Sequence, residues 1–245
     1  MAPLCGAFLM KKGYNKAMKI GFFDSGIGGT TVMEAVKREL PEEEYIYFGD
    51  TENCPYGEKS LEELQKIVTH DVEYLLGRGA EVIVVACNTA TTRTIKWLRE
   101  KFPEVPFVGT EPAIKKACEE TEVKEGEIAK IVLISTPGTA KAKRTEELIA
   151  ENIREGLEIE VLSLPGLARA IEENDGLAQD KILLEYLGKP DMEAETVVLG
   201  CTHYPLIKEK IQEYFPKARM IDGGEGVAKE VRRVVEEKRS REEKL

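Results

Sequence analysis

Along the chain, short apolar runs alternate with segments in which apolar residues return every three or four positions. Eight runs are rich in β-branched and aromatic residues: KIGFF (19–23), EYIYFG (44–49), EVIVVA (81–86), PFVGT (106–110), IAKIVLIS (128–135), LEIEVLSL (157–164), ETVVLG (195–200) and ARMID (218–222). Their length and composition predict strands, and the helical segments between them predict a mainly parallel α/β fold. The clearest helix is SLEELQKIVTHDVEYLLGRG, where Leu61, Leu64, Ile67, Val68, Val72, Leu75 and Leu76 share one face. Ser60 and Glu63 form a capping box at its start, and Gly77 and Gly79 can end it.

The polar stretch EETEVKEGE (119–127) separates the first four strands from the last four. It predicts two similar α/β lobes, residues 18–113 and 114–221. A final helix over 222–245 carries Val227, Val231, Val234 and Val235 on one face, which is expected to pack back on the first lobe. Residues 1–17 read as a flexible arm: MAPLCGAFLMKKGYNKA has its lysines after a brief apolar patch, the reverse of a signal peptide.

Open parallel sheets bind ligands beyond the carboxyl ends of their strands. Those ends are Asp24-Ser25-Gly26-Ile27-Gly28-Gly29, Gly49-Asp50-Thr51, Cys87-Asn88-Thr89, Ser135-Thr136 and Cys201-Thr202-His203. Hydroxyls, small residues and backbone donors suit a small anion. The glycines after Asp24 do not make GxGxxG, and no GxxxxGK[ST] occurs, so neither a dinucleotide nor a nucleoside triphosphate is expected. A formal net charge of −10 over 245 residues argues against nucleic acid or an anionic membrane as the main partner.

The five cysteines (Cys5, Cys54, Cys87, Cys118 and Cys201) include no CxxC pair, which reads as reduced thiols in the cytoplasm. Cys5 and Cys118 read as small apolar residues, and Cys54 sits in a loop with nothing nearby in sequence to activate it. Cys87 and Cys201 differ because each ends a strand-like run at an expected strand-to-helix junction, where a helix N-terminus lowers a thiol pKa. Three mechanisms fit such thiols. A metal site needs clustered cysteine and histidine, which only Cys201 and His203 approach, so no metal is expected. Covalent catalysis by one thiol with His203 as base leaves the other without a role. Proton removal from one face of a stereocentre and delivery to the other employs both.

The segments IGFFDSGIGG, YFGDTENCPYG, VVACNTAT and VVLGCTHYPLI resemble the motifs of the glutamate racemase family, in the same order and over nearly the whole chain from Met18. The resemblance implies two lobes with the active site in the cleft between them. It also implies cofactor-free interconversion of L- and D-glutamate for peptidoglycan, with Cys87 and Cys201 as the acid/base pair. Asp24 would support the first thiol, and His203 with Glu172 the second. Ser25, Tyr56, Gly57, Asn88, Thr89, Thr136, Thr139 and Thr202 would contact the substrate or stand beside it. The resemblance is compatible with a homodimer. Other readings are a racemase for aspartate or another acidic amino acid, and a binding protein for small anions without turnover.

Overall fold

The computed structural model describes residues 17–188 and 192–242. The arm expected over 1–17, with Cys5, thus falls outside the described residues except for Ala17. All eight expected strands form, and they make two four-stranded sheets whose described pairings are all parallel.

The first sheet is built in the order β1 (Lys19–Asp24), α1 (Thr30–Glu39), β2 (Glu44–Gly49), α2 (Leu61–Gly77), β3 (Val82–Val85), α3 (Asn88–Lys101) and β4 (Phe107–Gly109). The strands lie side by side as β2-β1-β3-β4. α2 starts with the expected capping box: the Ser60 side chain accepts from Glu63 N–H, and the Glu63 carboxylate accepts from Ser60 N–H. After it, Gly79 takes φ +86°, a conformation that favours glycine.

The chain continues through α4 (Ile114–Glu120), β5 (Ala129–Ser135), α5 (Pro137–Ala140), α6 (Lys143–Asn152), β6 (Leu157–Ser163), α7 (Leu167–Glu172), α8 (Gly176–Leu187), β7 (Thr196–Gly200), α9 (Lys208–Tyr214) and β8 (Arg219–Ile221). The second sheet repeats the first one's order, as β6-β5-β7-β8. α10 (Gly224–Glu242) then closes the described chain. Its Val227, Val231 and Val235 are buried in one cluster with Val32 and Val36 of α1 and Ile20 and Phe22 of β1.

The inner strands β3 and β7 are buried along their whole length, as expected for parallel strands covered on both faces. Alternate residues feed two separate cores. Val82 and Val84 face α1 and α10, whereas Ile83 and Val85 face the core that contains Leu64, Val68 and Leu98. In the second sheet, Val197 and Leu199 join Leu167, Leu183 and Ile211, while Val198 joins Ile114 and Leu148. Among the described residues no helix is long and apolar enough to cross a membrane.

In both sheets the first and third strands are neighbours, and the chain leaves them in opposite lateral directions. This is the switch point at which parallel sheets leave a crevice. β1 and β3 align Phe23 with Val85, and β5 and β7 align Ser135 with Gly200. Extending the registers puts Cys87 one step beyond the residue opposite Asp24, and Cys201 one step beyond the residue opposite Ser135. The two cysteines therefore occupy equivalent places in the two sheets.

Candidate active site

Cys87 caps the N-terminus of α3, as the sequence pattern leads one to expect. Cys201 does not stand at an α-helix. It leads through Thr202 and His203 into one turn of 3-10 helix, Tyr204–Ile207, with Pro205 in its first turn, and α9 starts only at Lys208. The expectation of two matching helix N-termini is corrected accordingly: the α-helical N-terminal field acts on Cys87 alone.

That field does not decide the state of Cys87. The thiol is 5% exposed, and burial followed by the neighbouring Asp24 charge pushes it well above its ordinary value, against the pull of the Ala90 N–H. Its Sγ points to Ser25 Oγ at 4.0 Å. Asp24 is fully buried and accepts from Gly29 N–H at 2.7 Å. Burial raises its carboxyl above the usual range, although the His203 charge and the Gly29 N–H pull it down. In this half the thiol holds on to its proton.

Around Cys201 the support is cationic. Sγ lies 3.8 Å from His203 Nδ1, and His203 Nε2 lies 2.8 Å from Glu172 Oε2. Burial disfavours the imidazolium, but the contacts with Cys201 and Glu172 outweigh it and hold His203 up to about 10. Burial also works against the Glu172 carboxylate, yet His203 and the Ile27 N–H, which donates to it at 2.8 Å, keep it below its ordinary value.

The glycines that follow Asp24 have a steric reason. A Cβ on Gly26 would overlap the Glu172 carboxylate, and one on Gly28 would overlap the His203 ring. The first lobe's loop must therefore lie flat against the second lobe's dyad. Other contacts join the same two lobes: Thr202 Oγ1 donates to Asp24 Oδ2 at 3.3 Å, and Thr89 Oγ1 lies 2.9 Å from Thr136 Oγ1 and 3.1 Å from Thr139 Oγ1.

Both thiols line one cavity of about 10 Å³, together with Ser25, Tyr56, Gly57, Asn88, Thr89, Thr136, Thr202 and His203. Of the remaining candidates, Asp24 and Glu172 stand behind the wall as partners of Thr202 and His203, and Thr139 is held behind Thr89 and Thr136. The space suffices for about one water molecule. A roomier groove of about 870 Å³ lies between α3, α6 and α10, and its wall contains no cysteine. Chemistry rather than volume selects the small cavity.

Tyr56 lines the cavity, but its hydroxyl faces away, 2.9 Å from Asp50 Oδ2 and 2.6 Å from Asp71 Oδ2. One phenol supplies one hydrogen to two carboxyls. Asn53 Nδ2 donates to both Asp50 oxygens, at 3.0 and 2.8 Å. Asp71 Oδ1 is buried 3.6 Å from His70 Nδ1, and burial pushes Asp71 up to about 7 against the pull of the Tyr56 and His70 contacts. Neither it nor Asp50 stood out in the sequence as a partner of Tyr56.

Cys54 also belongs here, contrary to its reading as an isolated loop thiol. Ligand atoms of Cys54, Glu172 and His203 lie within 4.8 Å of one another. It gains no activation from them: burial and the surrounding negative charges push the Cys54 thiol up to about 12. Cys118 keeps its structural reading, buried in the core against Ile114 and Leu157.

Known proteins share this architecture. A glutamate racemase from Clostridium botulinum (strain Kyoto / Type A2) is 41% identical over 220 residues, 87% of this chain and 82% of the relative. The crystal structure of Escherichia coli glutamate racemase in complex with L-glutamate and the activator UDP-MurNAc-ala superposes with a TM-score of 0.76 at 36% identity, over 90% of this chain and 83% of that one. The RacE1 isoform of glutamate racemase from Bacillus anthracis gives a TM-score of 0.74 at 32% identity, covering 90% and 82%. The profile of the Asp/Glu/Hydantoin racemase family matches residues 24–231, from the aspartate at the tip of β1 into α10. With paired sheets, paired thiols and a match of this extent, the chain belongs to the Asp/Glu/Hydantoin racemase family.

Proposed function

We propose that this protein is a glutamate racemase, an isomerase that interconverts L- and D-glutamate without a cofactor and supplies the D-enantiomer for peptidoglycan. The observation that carries the reading is the meeting of Cys87 and Cys201 in one cavity, each from an equivalent strand tip of its own sheet. The Clostridium, Escherichia and Bacillus relatives, all glutamate racemases, support the choice of substrate.

The α-proton of an amino acid is a very weak acid, so a base must act in a dry site while fixed donors hold the charge that develops. In this reading one thiolate takes the proton from one face of Cα and the opposite thiol gives one to the other face. The roles exchange in the reverse direction. Thr202, Thr89, Thr136, Asn88 and Ser25 line the cavity with hydroxyl and amide groups, and α3 starts beside it, at Cys87, with a helix N-terminus suited to a carboxylate. The Asp24 side conserves a proton for Cys87, while the Glu172–His203 pair offers Nδ1 to Cys201 as a place to leave or fetch one.

The test is racemisation of D-glutamate and of D-aspartate by the purified protein without added cofactor, followed by chiral chromatography. The reading expects an equal mixture of glutamate enantiomers and slower or no conversion of aspartate. Faster turnover of aspartate would move the substrate. Glutamate binding without conversion of either amino acid would make the protein a binder.

A further inference from the structure

The geometry points to a second use of the Glu172–His203 pair: with Cys54 it forms a binding site for a thiophilic divalent cation, zinc above all, whose occupancy switches off the Cys201 half. The inhibitory part rests on the racemase reading, whereas the binding part rests on the three side chains alone.

One sulphur, one ring nitrogen and one carboxylate oxygen converge within 4.8 Å, from residues far apart in sequence. Among the described residues this is the one group of histidine, cysteine and carboxylate side chains with such spacing. The mixture suits zinc or cobalt, and it is wrong for magnesium or calcium, which take oxygen ligands. Zinc bonds of about 2.3 Å to sulphur and about 2.0 Å to nitrogen and oxygen require tetrahedral ligand atoms some 3.2–3.6 Å apart. His203 Nε2 and Glu172 Oε2, now 2.8 Å apart, need to spread by only a few tenths of an ångström. The Cys54 sulphur needs to close by about 1 Å. It has the freedom to do so, being half-buried in a loop between two short 3-10 turns, Thr51–Asn53 and Tyr56–Glu58. Three protein ligands leave a fourth position for water or for an amino-acid carboxylate.

Metal binding at Nε2 would end the exchange on which the Cys201 half depends. The metal takes the lone pair that faces Glu172, and Glu172 leaves the ring to join the metal. The Cys54 thiol and the imidazolium Nε2 each release a proton to solvent. His203 then stays locked between the cation and Cys201, unable to pass a proton on to Glu172. Cys87 and Asp24 are not part of the group.

The experiment titrates the full chain, freed of metal with a chelator, with cobalt(II) chloride. The sulphur-to-cobalt charge-transfer band in the near ultraviolet is followed, and glutamate racemisation is measured separately against zinc chloride. The wild type is expected to gain one cobalt per chain with a thiolate band, and to lose activity to zinc and recover it with chelator, while magnesium has no effect. Cys54→Ser and Cys54→Ala should keep racemase activity within about twofold, lack the band, and need at least about tenfold more zinc for the same inhibition. A wild type without the band overturns the site. A Cys54→Ser protein with an unchanged band and unchanged zinc sensitivity also overturns it, because the metal would then sit on Cys87 or Cys201. A protein without racemase activity that still shows the Cys54-dependent band retains the site and removes only its inhibitory role.

Discussion

The Cys87 half and the Cys201 half of the cavity begin from the same plan and end differently. Each thiol stands one step past the residue opposite the tip of the first strand, in a sheet of the β2-β1-β3-β4 type. In the first lobe that neighbouring tip is Asp24, a carboxyl that adds to burial in raising the Cys87 thiol. In the second lobe the equivalent tip is Ser135, which carries no charge. The carboxylate comes instead from the end of α7, as Glu172, and acts through His203. In the proposed mechanism, pseudo-symmetry of the backbone supplies two thiols for opposite sides of Cα, while the side chains behind them tune one as a proton holder and give the other a relay. A racemase needs both states at once, since one thiol must be ready to give when the other takes.

The largest effect tests whether the halves are both necessary. Cys87→Ser and Cys201→Ser should each lower the racemisation rate by about 10³-fold or more, because each removes a general acid/base from the reacting carbon. A loss in only one of them would break the comparison. Next, His203→Asn should lower kcat/KM by about 10²-fold while leaving the Cys87 half intact. Because enantiomers have equal free energy, kcat/KM must fall equally in both directions. The asymmetry appears instead in the isotope effect with α-deuterated substrate, which should grow for the enantiomer from which Cys201 takes the proton.

Thr202→Val sharpens the contact between the halves. It removes the hydroxyl that donates to Asp24 at 3.3 Å and should cost about 1 kcal/mol, roughly fivefold in kcat/KM. The last effect is on stability rather than turnover and concerns the Tyr56 support. Asp71 keeps a proton up to about 7 in the folded protein, but releases it near its ordinary value of 3.8 when unfolded. The folded state therefore binds more protons between those values, and stability falls as pH rises through that window, by at most about 1.4 kcal/mol per pH unit. Asp71→Asn should flatten this slope and raise stability above pH 7, as read from urea midpoints at several pH values.

The alternation of apolar runs was sufficient for the strands, because a parallel strand buried on both faces needs an unbroken stretch such as VIVV or TVVLG. The tips were legible for the same reason: once a strand is placed, its next residues face the crevice. Ser60 and Glu63 were readable because capping is a contact between residues three apart. What stayed hidden depends on how the lobes dock. Ile27 meets Glu172 across 145 positions, and Thr202 meets Asp24 across 178, distances over which no local pattern operates. The role of Glu172 was available only through resemblance. The arrival of Cys54 beside it, the hold of Asp50 and Asp71 on the Tyr56 hydroxyl, and the 3-10 turn after Cys201 required the fold.

The most direct test of two thiols acting on opposite faces is the early time course in deuterated water, starting from D-glutamate and no added cofactor. Mass spectrometry of the separated enantiomers then reports where deuterium enters. Two thiols in solvent exchange predict L-glutamate that carries deuterium at Cα from the first turnovers, while the remaining D-glutamate keeps its protium. Deuterium appearing equally in both enantiomers, or L-glutamate that retains protium, would mean that a single group serves both faces, and would contradict the assignment of Cys87 and Cys201 to opposite sides.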